Sequence, residues 1–255
     1  MRSHEQTVQT QFDPRADAYR RSAVHAAGPD LEYARDLLGQ GGVPLARALD
    51  LGCGAGHLCF ALAPYVGHLI ALDPSPGMLE AVTHGAAERG LANLETRPAS
   101  AESLPFPDRS FELVCTRYSA HHWTHLEAAV REISRVLVPG GHALVIDALA
   151  AEDPLVDTHF QALELLRDAS HVRDRSVHEW RALLSAVGLA ELQYRQWPVR
   201  IEFASWVARM GTPELHVAAI RSLQAGAPRE VHAALETGTD GSFTLQTGLF
   251  WLMKS

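Results

Sequence analysis

Cysteine is scarce in this chain: three in 255 residues, at Cys53, Cys59 and Cys115. They form no CxxC pair and show no zinc-ligand spacing, so neither a disulfide framework nor a structural metal centre is indicated. An odd, sparse set of thiols is expected to be reduced, which points to the cytoplasm. Long apolar runs are missing as well. None approaches the roughly 20 residues that cross a bilayer, and the polar stretch Met1 to Asp13 lacks the apolar core of a signal peptide. Positive charge is the minority sign, with 22 Lys and Arg against 30 Asp and Glu and a formal net charge of −8. Phosphate backbones and anionic lipids repel such a surface, and the arginines are scattered, so neither nucleic acid nor a membrane is the expected partner. Internal repeats and low-complexity tracts are absent.

What remains is ordinary globular material, 47% hydrophobic and 20% charged, enough to bury a substantial core. The length suits a single domain over 1–255, as a monomer or homodimer. Residues 1–43 read as a helical cap, with Leu31, Ala34, Leu37 and Leu38 at helical spacing before the breaker Gly39-Gln-Gly41-Gly42. Over 44–150, apolar runs at Ala46–Leu51, His68–Leu72, Leu94–Arg97, Phe111–Thr116 and His142–Ala148 alternate with helical stretches. That alternation predicts a parallel sheet with helices on both faces. Runs such as Leu113-Val-Cys115 and Ala143-Leu-Val-Ile146 fit strands buried on both sides. Residues 151–235 read as a helical insert with a late strand at Leu192–Arg200, and 236–255 as a terminal strand over Ser242–Met253. In the insert, Ser176-Val-His-Glu179 is a capping box opening a helix toward Val187, with Gly188 as its stop. Thr212-Pro213-Glu214 predicts a second helix, with Thr212 as N-cap, proline in the first turn and Gly226 as its close.

The strongest chemical signal is Ala48-Leu-Asp50-Leu-Gly52-Cys-Gly54-Ala-Gly56-His57, placed where the first strand turns into a helix. Alternating glycines let the backbone bend and approach a ligand, and the following helix offers unpaired N–H groups. The next apolar run ends in Asp73, where a carboxylate at a strand tip can accept both hydroxyls of a ribose. Together these say nucleoside. The G-x-G-x-G spacing departs from the G-x-G-x-x-G of dinucleotide folds, and the Gly-Lys-Ser/Thr ending of a P-loop is absent.

These residues resemble the motif set of class I S-adenosylmethionine-dependent methyltransferases, and more narrowly the subgroup of ubiquinone/menaquinone biosynthesis C-methyltransferases (methyltransferase type 11). The resemblance runs on through Asp73-Pro-Ser-Pro-Gly-Met78, Ala101-Glu102-Ser-Leu-Pro105-Phe106-Pro-Asp108, Phe111 to Trp123 and Arg135-Val-Leu-Val-Pro139-Gly140-Gly141, covering residues 48–147. It implies a Rossmann-like seven-stranded sheet of order 3-2-1-4-5-7-6 with strand 7 antiparallel, helices on both faces and a helical insert as lid. The residues alone reach five parallel strands and two late ones, not their order.

The resemblance also implies roles. Gly52, Cys53, Gly54 and Gly56 would wrap the methionine half of S-adenosylmethionine, whose product is S-adenosylhomocysteine, with Asp50 near its amino group. Asp73 and Pro74 would meet the ribose, and Met78 would pack on the adenine. Ser100, Ala101 and Glu102 would border the adenine edge; relatives often carry Asp where this chain has Ser100. Arg117, after the fourth strand, would face the cofactor's amino acid portion or form a salt bridge.

His121 and His122 follow, at the strand end that borders methyl transfer in this fold, and are the candidates for a general base. No acidic partner stands at ligand spacing from His121, His122 or His125, so no metal is expected there. Candidate acceptor contacts in the cap are Phe12, Tyr19, Ser22 and His25. In the insert they are His171 and Arg173, within the polar stretch Asp168-Ala-Ser-His171-Val-Arg173, and Trp180, Trp197, Trp206 and Met210, a largely aromatic set that would line a pocket. The implied activity is methyl transfer to a small-molecule acceptor by in-line displacement. An NAD(P)-dependent oxidoreductase and a non-catalytic S-adenosylmethionine-binding protein are the competing readings.

Overall fold

The structure is a computed structural model and describes residues 2–20, 26–40 and 45–255. Seven strands form one sheet: β1 (Leu45–Leu51), β2 (Val66–Asp73), β3 (Leu94–Pro98), β4 (Phe111–Arg117), β5 (Leu137–Leu149), β6 (Leu189–Ile201) and β7 (Phe243–Lys254). Their order is β3-β2-β1-β4-β5-β7-β6. β1 to β5 pair in parallel, and β7 runs antiparallel between β5 and β6. Each sequence-predicted strand is present. The last two parallel-sheet neighbours are longer than their apolar runs suggested: β5 begins at Leu137, and a register shift between Phe111 and Leu113 carries the chain past Pro139-Gly140-Gly141.

The central strands are buried on both sides because alternate side chains enter two different cores. Leu49, Leu51, Ile70, Leu72, Val114 and Val145 point one way. Ala48, Leu69, Ala71, Leu113, Cys115, Leu144 and Ile146 point the other. The first core is closed by α6 (Leu126–Val136) and α8 (Val177–Ala186), which bury Ile133, Trp180 and Leu184. The second is closed by α3 (Pro29–Gln40) and α4 (His57–Leu62), through Leu31, Ala34, Leu58 and Leu62, and by α5 (Pro76–Glu88) through Leu79 and Val82. Burying each such Leu or Ile contributes about 1.5–3 kcal/mol.

A separate cluster holds the insert together. Phe160 of α7 (Pro154–Arg167), Phe203 and Trp206 of α9 (Phe203–Met210), Ile220 of α10 (Glu214–Gly226) and Val231 of α11 (Arg229–Leu235) meet Ile201 and Phe243. The capping box forms as read: Ser176 Oγ accepts from Glu179 N, and the Glu179 side chain accepts from Ser176 N. The next helix starts one residue late. Pro213, not Thr212, is its N-cap, because the Thr212 hydroxyl donates to the carbonyl of Arg167 at 3.0 Å and is not aimed at the helix.

The N-terminal helices α1 (His4–Phe12) and α2 (Ala16–Arg20) lie across the C-terminal edge of the sheet. Gln9 donates to Pro74 O at 2.9 Å, Ser75 Oγ bonds Asp13, and His57 Nε2 bonds the carbonyl of Tyr19 at 2.9 Å. On the other side the His4 ring bonds the carbonyl of His122 at 2.9 Å, and Tyr19 OH donates to Met210 Sδ at 3.0 Å. The cap therefore ties the β2 end of the sheet to the insert.

Candidate active site

A cavity of about 620 Å³ opens where the strand order reverses between β1 and β4, the crevice in which doubly wound sheets bind ligands. It runs from the β1 and β2 tips to the insert, under the N-terminal helices.

At the first end, β1 and β2 carry Asp50 and Asp73 to the cavity. Asp73 is pinned by two backbone donors at 2.9 Å, Gly54 N on Oδ2 and Ser75 N on Oδ1. Burial outweighs these hydrogen bonds and raises its carboxyl to about 6. Asp50 is 1% exposed; its Oδ2 accepts from Cys59 Sγ at 2.9 Å, while its Oδ1 is buried with no hydrogen-bond partner among the described residues. Burial again pushes the carboxyl up, to about 7. An orphaned carboxylate oxygen beside a cavity is a site for a cation or donor.

The turn between them carries left-handed glycines, Gly52, Gly54 and Gly56, the first two on the cavity side. Gly52 has φ +63°, and a Cβ there would meet Ser119 Oγ at 2.3 Å; Gly54 has φ +50° and open space where its Cβ would stand. Gly52, Cys53, Gly54, Pro74 and Met78 line the cavity, as do Ser100 and Glu102. Gly56 faces elsewhere, with Phe60 and Val82 in contact distance of a Cβ. Ala101 is buried in the first core and is not on the cavity wall. The Glu102 carboxylate accepts from His125 N at 3.0 Å, at the N-terminus of α6. Arg117 forms a buried pair with Asp30 at 2.5 Å and lies over the Tyr118 ring.

At the other end, His121 and His122 sit in a short 3-10 turn after β4. His121 Nδ1 lies 2.6 Å from Asp147 Oδ1 at the tip of β5, and His121 N bonds Asp147 Oδ2 at 3.2 Å. The Nδ1–H donates, which leaves Nε2 as the nitrogen available to a ligand. Burial opposes a charged ring, but the charge and hydrogen bond of Asp147, with Asp174 at 3.9 Å, raise His121 to about 9. His122 goes the other way. Burial and the like charge of His121 lower it to about 4, and its Nδ1 donates to Ser170 O at 3.0 Å. His121, Asp147 and Asp174 also place three potential ligand atoms within 4.8 Å of one another. The acidic neighbours not visible at sequence spacing from His121 thus arrive from β5 and the insert.

The insert stretch Asp168 to Arg173 packs on the same turn, with Val172 N and Arg173 N both donating to His121 O. His171 itself is buried behind the wall, with Nε2 2.8 Å from Gln161 Oε1; burial and the neighbouring histidines lower it to about 2. Arg173 points outward to Asp157 and Glu179. Of the aromatic set, Trp206 lines the cavity, whereas Trp180 and Trp197 pack in the two sheet cores. Phe12 and Tyr19 line it from the cap, with the Phe12 ring 5.1 Å from His122 and 5.6 Å from Tyr19. Ser22 and His25 lie outside the described residues. Sequence reasoning missed Asp147, Glu164, Arg167, Asp174 and Arg209, all on the cavity wall or touching it. Asp147 carried a readable signal, since it closes the fifth apolar run much as Asp73 closes the second.

The sheet order with its antiparallel seventh strand, and a ribose-competent acid beside a glycine turn, are the features of class I S-adenosylmethionine-dependent methyltransferases, and the chain belongs to them. A family profile described as "Methyltransferase domain" matches residues 49–145. The Bacillus subtilis protein called uncharacterized methyltransferase YcgJ is 42% identical over 209 residues, 81% of each chain. The crystal structure of YcgJ aligns with a TM-score of 0.81 at 36% identity, over 88% of this chain and 97% of that one. The ubiquinone/menaquinone biosynthesis C-methyltransferase UbiE of Pseudomonas putida is 33% identical over 120 residues, 46% of this chain and 47% of that enzyme. No helix among the described residues is long and apolar enough to cross a membrane.

Proposed function

We propose that this methyltransferase binds S-adenosylmethionine at the Asp50–Asp73 end of the cavity and methylates a small molecule at the His121 end. The observation that carries the reading is that one cavity holds both the orphaned Asp50 oxygen and the Asp147-held His121.

Asp50 Oδ1 takes the ammonium of the cofactor's methionine half. The backbone-pinned Asp73 carboxylate still has lone pairs for the ribose hydroxyls. Met78 gives the adenine an apolar face, and the Ser100 hydroxyl reaches its polar edge. Gly52, Cys53 and Gly54 shape the wall, and the Arg117–Asp30 pair closes it behind. Bound S-adenosylmethionine supplies an already activated sulfonium methyl, so placement and exclusion of water account for most of the rate. Phe12 and Tyr19 of the cap exclude that water. His121 Nε2 takes the proton of the acceptor, and Asp147 fixes the tautomer and stabilises the imidazolium that results. His122 stays neutral and offers a polar contact beside it. A cavity roofed by the N-terminal helices and a net charge of −8 both favour a small acceptor over a nucleic acid.

Calorimetric titration of S-adenosylhomocysteine into the wild type and Asp73→Ala, with NADH as control, tests the cofactor end. Micromolar binding that is lost in the variant is the expected result; binding of NADH alone would overturn the reading. Product formation across an acceptor panel then separates an enzyme from a protein that only binds the cofactor.

A further inference from the structure

The cavity wall carries four arginines: Arg117, Arg167, Arg200 and Arg209. Three are satisfied by the protein. Arg117 pairs with Asp30 at 2.5 Å. Arg167 pairs with Glu164 at 3.0 Å and donates to Trp206 O at 3.3 Å. Arg200 donates to the carbonyls of Glu236 and Ser242 at 2.7 and 3.2 Å.

Arg209 differs. Among the described residues it makes no ion pair and no hydrogen bond, and its Nε is buried without an acceptor. Burial first, and then the charge of Arg167, pull its pKa below the usual arginine value, against the smaller opposing influence of Tyr19 and of Glu164, which is itself paired with Arg167. A guanidinium does not shed its proton at any ordinary pH, so it stays as a partly buried charge facing a like charge. Burying a guanidinium nitrogen without an acceptor is unfavourable, and perturbed charges without a hydrogen-bonding partner gather where a ligand completes them. The planar fork of arginine matches a carboxylate through two parallel N–H···O bonds. Around it the cavity is aromatic, with Phe12, Tyr19 and Trp206 on the wall. The Tyr19 hydroxyl is held at 3.0 Å from Met210 Sδ, on the residue after Arg209.

We propose that the methyl acceptor is a small carboxylic acid with a flat apolar body, and that Arg209 binds its carboxylate while the methylated atom lies at His121. This rests on the reading that the Asp50–Asp73 end holds the cofactor, and it adds the chemical class of the acceptor. Arg209 is then a specificity-determining residue, not part of the proton transfer.

The test is calorimetry on the protein loaded with S-adenosylhomocysteine, using two acid–amide pairs as probes: benzoate with benzamide, and hexanoate with hexanamide. The expected result is an acid bound at least tenfold more tightly than its amide in wild type, no such preference in Arg209→Gln, and a partial preference in Arg209→Lys. The lysine variant guards against a glutamine variant that merely misfolds, and unchanged S-adenosylhomocysteine affinity in both guards the cofactor end. Equal binding of acid and amide, binding of neither, or a preference that survives in Arg209→Gln would overturn the proposal. Loss of S-adenosylhomocysteine binding in folded Arg209→Gln would overturn it too, by assigning Arg209 to the cofactor. If wild type fails to bind S-adenosylhomocysteine, the cofactor reading falls instead, and the same acid–amide comparison on the apo protein still decides the carboxylate site.

Discussion

At the proposed cofactor end of the cavity, Asp50, Gly52, Gly54, Asp73 and Met78 come from one strand–turn–helix–strand–helix passage, and backbone N–H groups of that passage hold the Asp73 carboxylate. At the proposed acceptor end, His121, Asp147, Asp174 and Arg209 come from four separate segments, and side-chain contacts join the first three. The first arrangement is set by local geometry: a tight turn with left-handed glycines and a helix start following a strand. The second depends on the insert folding back over the sheet, so its residues are free to vary with the acceptor while the sheet stays the same. The pKa pattern follows the same division. Burial dominates Asp50 and Asp73, whereas at the proposed acceptor end a neighbour's charge enters both shifts: Asp147 drives His121 up against burial, and His121 adds to the burial that lowers His122.

The largest expected effect separates the ends by function. His121→Asn should lower turnover by about 10²–10⁴-fold, the usual worth of a positioned base, with S-adenosylhomocysteine affinity within a fewfold of wild type. A variant that loses both would mean the ends are not independent. Conversely, Asp73→Ala should weaken S-adenosylhomocysteine by about 10²–10⁴-fold, since it removes two charge-assisted hydrogen bonds worth about 1.5–3 kcal/mol each. Calorimetry measures this directly.

Next comes Asp147→Asn, which tests how the acceptor end is tuned. His121 in the wild type must lose its proton to act, so the rate should climb with pH to a plateau above about 9. Without the Asp147 charge, burial lowers the ring's pKa against only the weaker pull of Asp174 and Glu164, and the inflection should move down from about 9. Stability should respond with the same sign. A raised histidine pKa contributes stability that is complete below 6.5 and lost as pH rises through about 9. The urea-unfolding free energy of wild type minus Asp147→Asn should therefore shrink between those limits; a difference that stays constant with pH would remove Asp147 as the cause. The smallest effect sharpens the cofactor end: Ser100→Asp should tighten S-adenosylhomocysteine a fewfold, because a carboxylate accepts more strongly than a hydroxyl.

The architecture was largely legible before any coordinates. The inner strands β1, β2, β4, β5 and β7 follow from short apolar runs, because strands buried on both faces have no polar side to break the run, whereas the edge strands β3 and β6 are largely exposed and carry a weaker signal. The Ser176–Glu179 box reads directly because both of its hydrogen bonds lie within four residues. The misreading at Thr212 shows where that stops: the hydroxyl has a better partner in Arg167 O, far away in the chain. His171 and Arg173 show it again. Their stretch does dock at His121, but through backbone N–H groups, and the two side chains turn away to Gln161, Asp157 and Glu179.

By itself, then, the sequence determined the parallel core, the glycine turn with its two acids and hence the methyltransferase family, because each depends on residues a few positions apart whose backbone preferences and burial are local. Only the tertiary structure decided which histidine is driven up and which down, that Gly56 and Ala101 belong to packing and not to the cavity wall, and that Arg209 stands there without a hydrogen-bond or ion-pair partner among the described residues. Those facts depend on which distant groups share a water-poor space, and electrostatics in such a space is set by distance and burial.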